Sequence, residues 1–368
     1  MIIGVPAETK AQEARVALTP AGAHQLVGHG HEVRVQAGAG LGSRIADEEY
    51  TAAGAGIVPL EEAWGAELVL KVKEPIPSEY QHLRGDLTLF TYLHLAANKE
   101  LTCALLESGT TSLAYESVQT DTGALPLLAP MSEVAGRMAA TVGANALFSV
   151  HGGRGLLLAG VPGVRPARAT VIGAGQAGGN AVQQLVGMGA DVTVLDTSVE
   201  ALHRMDELYG NRVRTVVSTP YEVAACVVDS DLVVGAVLIP GRRAPNVVTH
   251  AMVQEMKRGA VLVDIAVDQG GCFEDTRPTT HEDPTFEVGP AIFYCVANMP
   301  GAVAATSTAA LTNSTLPYEL AVADKGWQRA CADSAELNRG LTTSHGKLRN
   351  RDVIAEFPDL PAASTMSV

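Results

Sequence analysis

The sequence predicts an α/β protein of two doubly wound domains, and three observations predict it. Short apolar runs alternate with helix-like stretches over the first 130 residues, and a second series of the same kind starts near Ala169. Between them, from about Ser132 to Phe148, lies a long stretch rich in Ala, Gly and Met. Apolar runs separated by helical segments are what βα units wound into a parallel sheet look like in sequence. A chain of 368 residues has room for two such domains, each with its own core.

MIIGV reads as the first strand, followed by a helix around Ala21 to Gly28 and then by strands within HEVRVQA, LVLKVKE, DLTLFTYLHLA and TTSLAYESV. On a strand through LVLKVKE, Val69, Lys71 and Lys73 share one face, with Leu70 and Val72 on the other. Lys73 closes that run just before Pro75, whereas Lys71, one step back, reads as a supporting or solvated charge. The stretch Ser132 to Phe148 reads as a helix linking the domains, although Gly136 and Gly143 each cost it about 1 kcal/mol against Ala. The second series runs through ATVIGAG, DVTVLD, RVRTVVS, DLVVGAVLIP, AVLVDIAV and IFYCVANMP. After Thr306 the chain turns helical again, with Trp327 available for packing, and these last helices are expected to return to the first domain. Residues 1–130 plus about 306–368 then make one discontinuous domain and 131–305 the other. The tail from Arg349 reads as weakly ordered.

With 26 Lys+Arg against 40 Asp+Glu, the net charge of −14 would repel a phosphate backbone, so no nucleic-acid partner is expected. The five cysteines are scattered, with no C-x-x-C pair, which argues against a disulfide framework or a zinc site and suits a reducing cytoplasm. The amino terminus lacks a basic segment followed by a long apolar one, and no apolar run reaches the roughly 18 residues of a spanning helix. A cytoplasmic protein with no membrane association and no metal is the expectation.

TVIGAGQAG carries G-x-G-x-x-G at Gly173, Gly175 and Gly178, with Gln176 opening the helix that follows. Alone the pattern is weak in a chain of 37 glycines, but here it follows an apolar strand, and the next strand ends on Asp196. The first glycine allows the tight turn, the second the approach of a pyrophosphate and the third close helix–strand packing, while the helix N-terminus faces the phosphates. Asp196 can accept hydrogen bonds from ribose hydroxyls and repels a 2′-phosphate, and Thr197, Ser198 and Val199 bring no arginine, so NAD is favoured over NADP. The bland alternative is a glycine-rich turn with a helix-capping Asp. A competing glycine run, HGGRG at 151–155, follows no strand and reads as a flexible surface loop.

Open parallel sheets carry reactive groups at the carboxyl ends of their strands. Lys73, His94 and Asp268 follow predicted strands, and Arg15 lies in the loop after the first. An arginine can hold a carboxylate through two parallel hydrogen bonds, and a lysine adds positive charge near a developing carbonyl oxygen. A histidine exchanges protons near neutral pH, and an aspartate can orient ammonia or water. Together they suit oxidation of a small amino acid. Each alone has a structural reading, and between Asp264 and Asp268 sequence physics does not choose.

EARVALTPAG, LVLKVKEP, TYLHLA, LPLLAPMSEVAGR, GGRG with GVPGV, VIGAGQAG and VDIAVDQGGCFE, then RPTT and FYCVANMP, resemble bacterial L-alanine dehydrogenase in family order over most of the chain. The wider family includes the NAD-binding subunit of proton-translocating transhydrogenase. The resemblance implies two Rossmann-like domains with a cleft between them, residues 1–130 plus about 306–368 taking substrate and 131–305 taking NAD. It implies interconversion of L-alanine with pyruvate and ammonia: hydride leaves Cα for NAD, water adds to the imino acid, and the carbinolamine collapses. Arg15 and Lys73 match substrate-binding positions, and His94 and Asp268, rather than Asp264, match catalytic ones. NAD contacts carry over to Ser132, Asp196, Ser218, Val237, Leu238, Ile265, Ala266, Val267, Asp268, Arg277, Val296, Ala297, Asn298 and Met299. A homohexamer is also implied. Two departures stand out: Ala201 replaces a basic residue of some relatives, and Lys325 stands where some pair a histidine with a glutamate matching Glu116 around magnesium, so no such site is expected. A dehydrogenase for another small amino or imino acid, or a transhydrogenase-like NAD-binding subunit, are the alternatives.

Overall fold

The computed structural model describes residues 1–237 and 244–363. It divides into two compact units, Met1–Met131 with Val303–Val368, and Ser132–Ala302. The chain leaves the first unit within the helix Ala129–Ala146 and returns just before the helix Ala304–Asp333.

Six strands open the first unit: β1 (Ile2–Val5), β2 (Glu32–Gln36), β3 (Gly56–Val58), β4 (Leu68–Leu70), β5 (Thr88–Thr91) and β6 (Thr111–Ala114). They pair in parallel in the order β3-β2-β1-β4-β5-β6, so the winding reverses between β1 and β4. Crossover helices are started by their own side chains. Thr19 accepts the Gly22 amide ahead of Pro20–Gly28, and Asn98 accepts the Leu101 amide ahead of Lys99–Ser108. Central strands are buried on both faces, which is why they read as unbroken apolar runs.

The second unit holds β7 (Arg168–Ile172), β8 (Asp191–Asp196), β9 (Val213–Val217), β10 (Leu232–Gly235), β11 (Val261–Asp264), β12 (Thr285–Val288) and β13 (Ala291–Tyr294). Their order, β12-β13-β11-β10-β7-β8-β9, reverses between β7 and β10, and only the β12–β13 pairing is antiparallel among those described. Alternate residues feed two cores. Val171, Val194, Val234 and Val263 pack on one face, and Ile172, Leu195, Val233 and Leu262 on the other.

Two further strands, β14 (Leu341–Ser344) and β15 (Lys347–Leu348), extend the first sheet beyond β6 by antiparallel pairing. Both were absent from the sequence reading. As far as Ala363 the tail departs from expectation too, because it is tied down: the Leu348 amide donates to Pro361 O at 2.8 Å and the Ala363 amide to Leu348 O at 2.9 Å. The glycines of the linking helix also have a reason. A Cβ on Gly136 would lie 2.1 Å from Ala177 O, and one on Gly143 2.7 Å from the Leu232 side chain, so their absence lets this helix lie close on the second fold.

Candidate active site

In the first unit, Arg15, Lys73 and His94 follow β1, β4 and β5, three neighbouring strands, at their carboxyl ends. A set of carboxylates that sequence reasoning passed over holds them. Arg15 is buried, and Glu13 grips its guanidinium in a fork, Nε donating to Oε1 at 2.6 Å and Nη2 to Oε2. Burial works against the Arg15 charge, but Glu13 outweighs it and holds the pKa above the usual arginine value. The Met131 sulfur lies 3.0 Å from Nη1.

Lys71 is not solvated. β4 stops at Leu70, and Lys71 is wholly buried, donating to Glu8 at 3.2 Å and Glu79 at 3.0 Å with its ammonium 5.7 Å from the centre of the Trp64 ring. Burial works against its charge, but the two carboxylates outweigh it and keep its pKa raised. Burial is also the main reason the Glu8 carboxyl is pushed up, with Lys71 opposing. Glu8 does a second thing: its oxygens accept the Val72 amide at 2.6 Å and the Lys73 amide at 3.3 Å. The buried lysine thus anchors the turn that presents the next one, Lys73, at the half-buried edge. The signal was Glu8 and Lys71 each lying next to a strand end, but their separation of 63 residues hid the pair.

His94 is exposed, with φ 49° and ψ 40°, in the left-handed region that costs a side-chain-bearing residue roughly 1–2 kcal/mol. Its ring stacks on Tyr92 at 6.0 Å and 4°. Tyr92 is buried, its hydroxyl donates to Leu127 O at 2.6 Å, and burial raises its pKa well above the ordinary phenol value. Lys325 is ion-paired with Asp333 at 3.0 Å.

In the second unit the carboxyl edge is built from backbone. Gly173 has φ 101° at the end of β7, where a Cβ would lie 2.6 Å from Ala236 O. A Cβ on Gly178 would fall 1.7 Å from Gly173 O, so the helix Gln176–Gly187 rests directly on the loop. Gly175, the exposed residue before that helix, is different: a Cβ there would meet nothing within 4 Å, and no side chain caps the helix it opens. The neighbouring helices Val199–Tyr209 and Pro220–Asp229 are capped by Ser198 and Thr219. An uncapped first turn facing open space fits a pyrophosphate. Asp196, ending β8, accepts the Ala174 amide at 2.6 Å and the Ser198 amide at 2.7 Å, tying the glycine loop to the ribose-side turn. Ala201 is buried within the first turn of the following helix.

Most of the remaining candidates follow strands of the same sheet. Ser218 follows β9, Val237 follows β10, Ile265, Ala266, Val267 and Asp268 follow β11, and Val296, Ala297, Asn298 and Met299 follow β13. Leu238 lies outside the described residues. Ser132 sits in the helix Ala129–Ala146, and the exposed Arg277 places its guanidinium 4.1 Å over Phe286. The two aspartates separate cleanly. Asp264 is buried and accepts from the Ala266 and Cys272 amides, both at 2.9 Å, and from Thr276 at 2.5 Å; burial, only partly offset by those bonds, pushes its carboxyl up. Asp268 is exposed, 3.4 Å from the Asn298 amide. HGGRG lies at the other edge: Arg154 pairs with Asp231, before β10, at 3.0 Å, and its amide donates to Gly259, before β11, at 3.1 Å. It is a surface loop tied to the amino ends of the strands.

Family models of the alanine dehydrogenase/PNT N-terminal and C-terminal domains match residues 4–135 and 139–351. The chain belongs to the alanine dehydrogenase/PNT family. Within it, the chain is 60% identical to an alanine dehydrogenase of Mycolicibacterium smegmatis, across 98% of either chain. A solved L-alanine dehydrogenase matches with a TM-score of 0.95 at 47% identity, covering 98% of this chain and 99% of the other. A transhydrogenase of Sinorhizobium meliloti matches with a TM-score of 0.82 at 27% identity, covering 95% and 99%. The fold class and cofactor expected from the sequence are those of this family: two Rossmann-like α/β domains, with NAD as the cofactor.

Proposed function

We propose that the chain is an NAD-dependent amino acid dehydrogenase that deaminates L-alanine oxidatively to pyruvate and ammonia and runs the reverse reductive amination. One observation carries the reading: in a member of this family, Arg15, Lys73 and His94 crown three adjacent strands of one sheet. In this reading residues 1–131 with 303–368 take the substrate and residues 132–302 take NAD.

NAD, when bound, accepts the hydride from Cα of alanine. The chain's own residues do the rest. Arg15, its plane fixed by Glu13, receives the substrate carboxylate, and Lys73 offers positive charge to the oxygen that develops on Cα. Hydration of the imino acid requires a proton taken from water, and collapse requires one given to the departing nitrogen; His94 and Asp268 are assigned these transfers. Gly173, Gly175 and Gln176 would hold the pyrophosphate, with Gly178 keeping the helix close on that loop, and Asp196 would hold the adenosine ribose.

With L-alanine and NAD, NADH absorbance should appear, and pyruvate, ammonia and NADH together should consume it. Silence in both directions refutes the assignment. His94→Ala should abolish turnover while NADH affinity persists. Serine and glycine should be poorer substrates by roughly 10- to 200-fold, the reach of one small group in a pocket.

Cytoplasmic location and assembly as a homo-oligomer, six copies by family resemblance, complete the proposal. Phe148, Val150, Leu157, Val161 and Val164 all expose apolar side chains, Val150 to 82%. Such a concentration favours burial by another copy. Light scattering should give a mass of several chains, reduced by Val150→Glu.

A further inference from the structure

β5 ends at Thr91, which stands opposite Ala114 of β6 in parallel register. Two residues further along, that register sets Leu93 beside Glu116, where β6 has already turned into the short 3-10 helix Tyr115–Ser117. The Glu116 carboxylate takes the place of the next step of the ladder. The Leu93 amide lies 3.2 Å from each of its oxygens, and the His94 amide donates to Oε1 at 2.6 Å. The residue held this way is the one in the left-handed conformation, and the turn Leu95–Ala97 starts from it, the Ala97 amide donating to His94 O at 3.0 Å.

We propose that Glu116 is a positioning residue for His94, acting on its backbone rather than on its imidazole. The proposal rests on the reading of His94 as an acid/base group of the reaction. Hydrogen bonds from two consecutive amides to one carboxyl group are directional and fix both amide planes. They hold a backbone conformation that a residue with a Cβ otherwise leaves. With the backbone fixed by Glu116 and one ring face covered by Tyr92, the imidazole has a set departure point from the sheet edge. No signal in the sequence marks this role, because it depends on the register between two strands joined by a helix.

The test compares Glu116→Ala, Glu116→Gln and Glu116→Asp in NAD-dependent alanine oxidation. Glu116→Ala should lower kcat at least tenfold, with KM for alanine and Kd for NADH within threefold of the parent. Glu116→Gln keeps an oxygen where both amides point and should hold kcat within threefold. Glu116→Asp, too short to reach both amides, should fall between, and it carries the test should the alanine variant not fold. A kcat within twofold of the parent for the Ala or Asp variant overturns the proposal. So does a Gln variant as impaired as Ala, which would assign the effect to charge. His94→Ala runs alongside: parent-level turnover there removes the acid/base reading itself, whereas an inactive His94→Ala with an active Glu116→Ala removes only the positioning role.

Discussion

The two sheets wind the same way, three strands outward from one side of the reversal and the rest from the other, yet their carboxyl edges are finished by opposite means. At the reversal of the first sheet, between β1 and β4, buried charge fills the space: Lys71 between Glu8 and Glu79, with Arg15 in the fork of Glu13 close by. At the reversal of the second, between β7 and β10, side chains are missing: Gly173 and Gly178 let backbone pack on backbone, and Gly175 leaves open space. One topology therefore offers a crevice twice. Packed with fixed ionic groups it suits a small charged molecule, and emptied by glycine it suits a long phosphate-bearing one.

If the buried charges of the first unit are structural anchors, removing one must cost stability before it costs chemistry. Lys71→Met leaves Glu8 and Glu79 buried without their cation and should destabilise by about 3–5 kcal/mol in denaturant melts. Lys73→Met, at the half-buried edge, should leave the melt nearly unchanged and raise KM for alanine instead. Equal melts for both variants would erase the distinction between anchor and ligand.

Another buried acid of this unit has no such partner among the described residues. Glu319 is fully buried on the helix Ala304–Asp333, with the Tyr115 hydroxyl 3.5 Å from Oε1, and burial pushes its pKa up to about 8, Thr315 and Tyr115 opposing. A carboxyl whose folded pKa lies above its unfolded value of about 4.5 stabilises the fold fully below that value, and the contribution fades as pH rises towards 8. Between pH 5 and pH 8 the protein should lose about 3 kcal/mol through this group. Glu319→Gln should flatten that stretch of the stability profile, and an unchanged slope would show that the carboxyl ionises freely in the fold.

How much of this was legible in the sequence follows the same divide. The glycine fingerprint could be read because its function is written in residue type at fixed local spacing, and Asp196 because it ends the next strand. Lys73 and His94 could be placed at strand ends by apolar runs alone. What held them could not: Glu8 meets Lys71 across 63 residues, and Glu116 meets His94 only through the β5–β6 register. β14 escaped because its pairing with β6 spans well over 200 residues and its sequence, LTTS, carries little apolar signal. Asp264 and Asp268 looked alike to sequence physics, where only family resemblance chose Asp268, and burial is the physical difference between them.

The glycines of the second unit can be told apart in the same spirit, the larger effect first. Gly178→Ala drives a methyl to within 1.7 Å of a backbone oxygen and should cost about 2–3 kcal/mol, visible as a lowered melting temperature without any ligand.

Gly175→Ala is the converse case. Its methyl meets nothing within 4 Å, and its φ of −74° is one that alanine adopts freely, so the melt of the ligand-free protein should not fall. The same methyl would stand where the pyrophosphate approaches the uncapped helix, so Kd for NADH should rise about tenfold, or about 1.4 kcal/mol. Fluorescence titration of NADH beside a thermal melt reads both quantities on one sample. Weakened binding with an unchanged melt identifies Gly175 as a residue kept small for its ligand, whereas a lowered melt with intact binding would make all three glycines packing residues and leave the second sheet's edge no more open than the first.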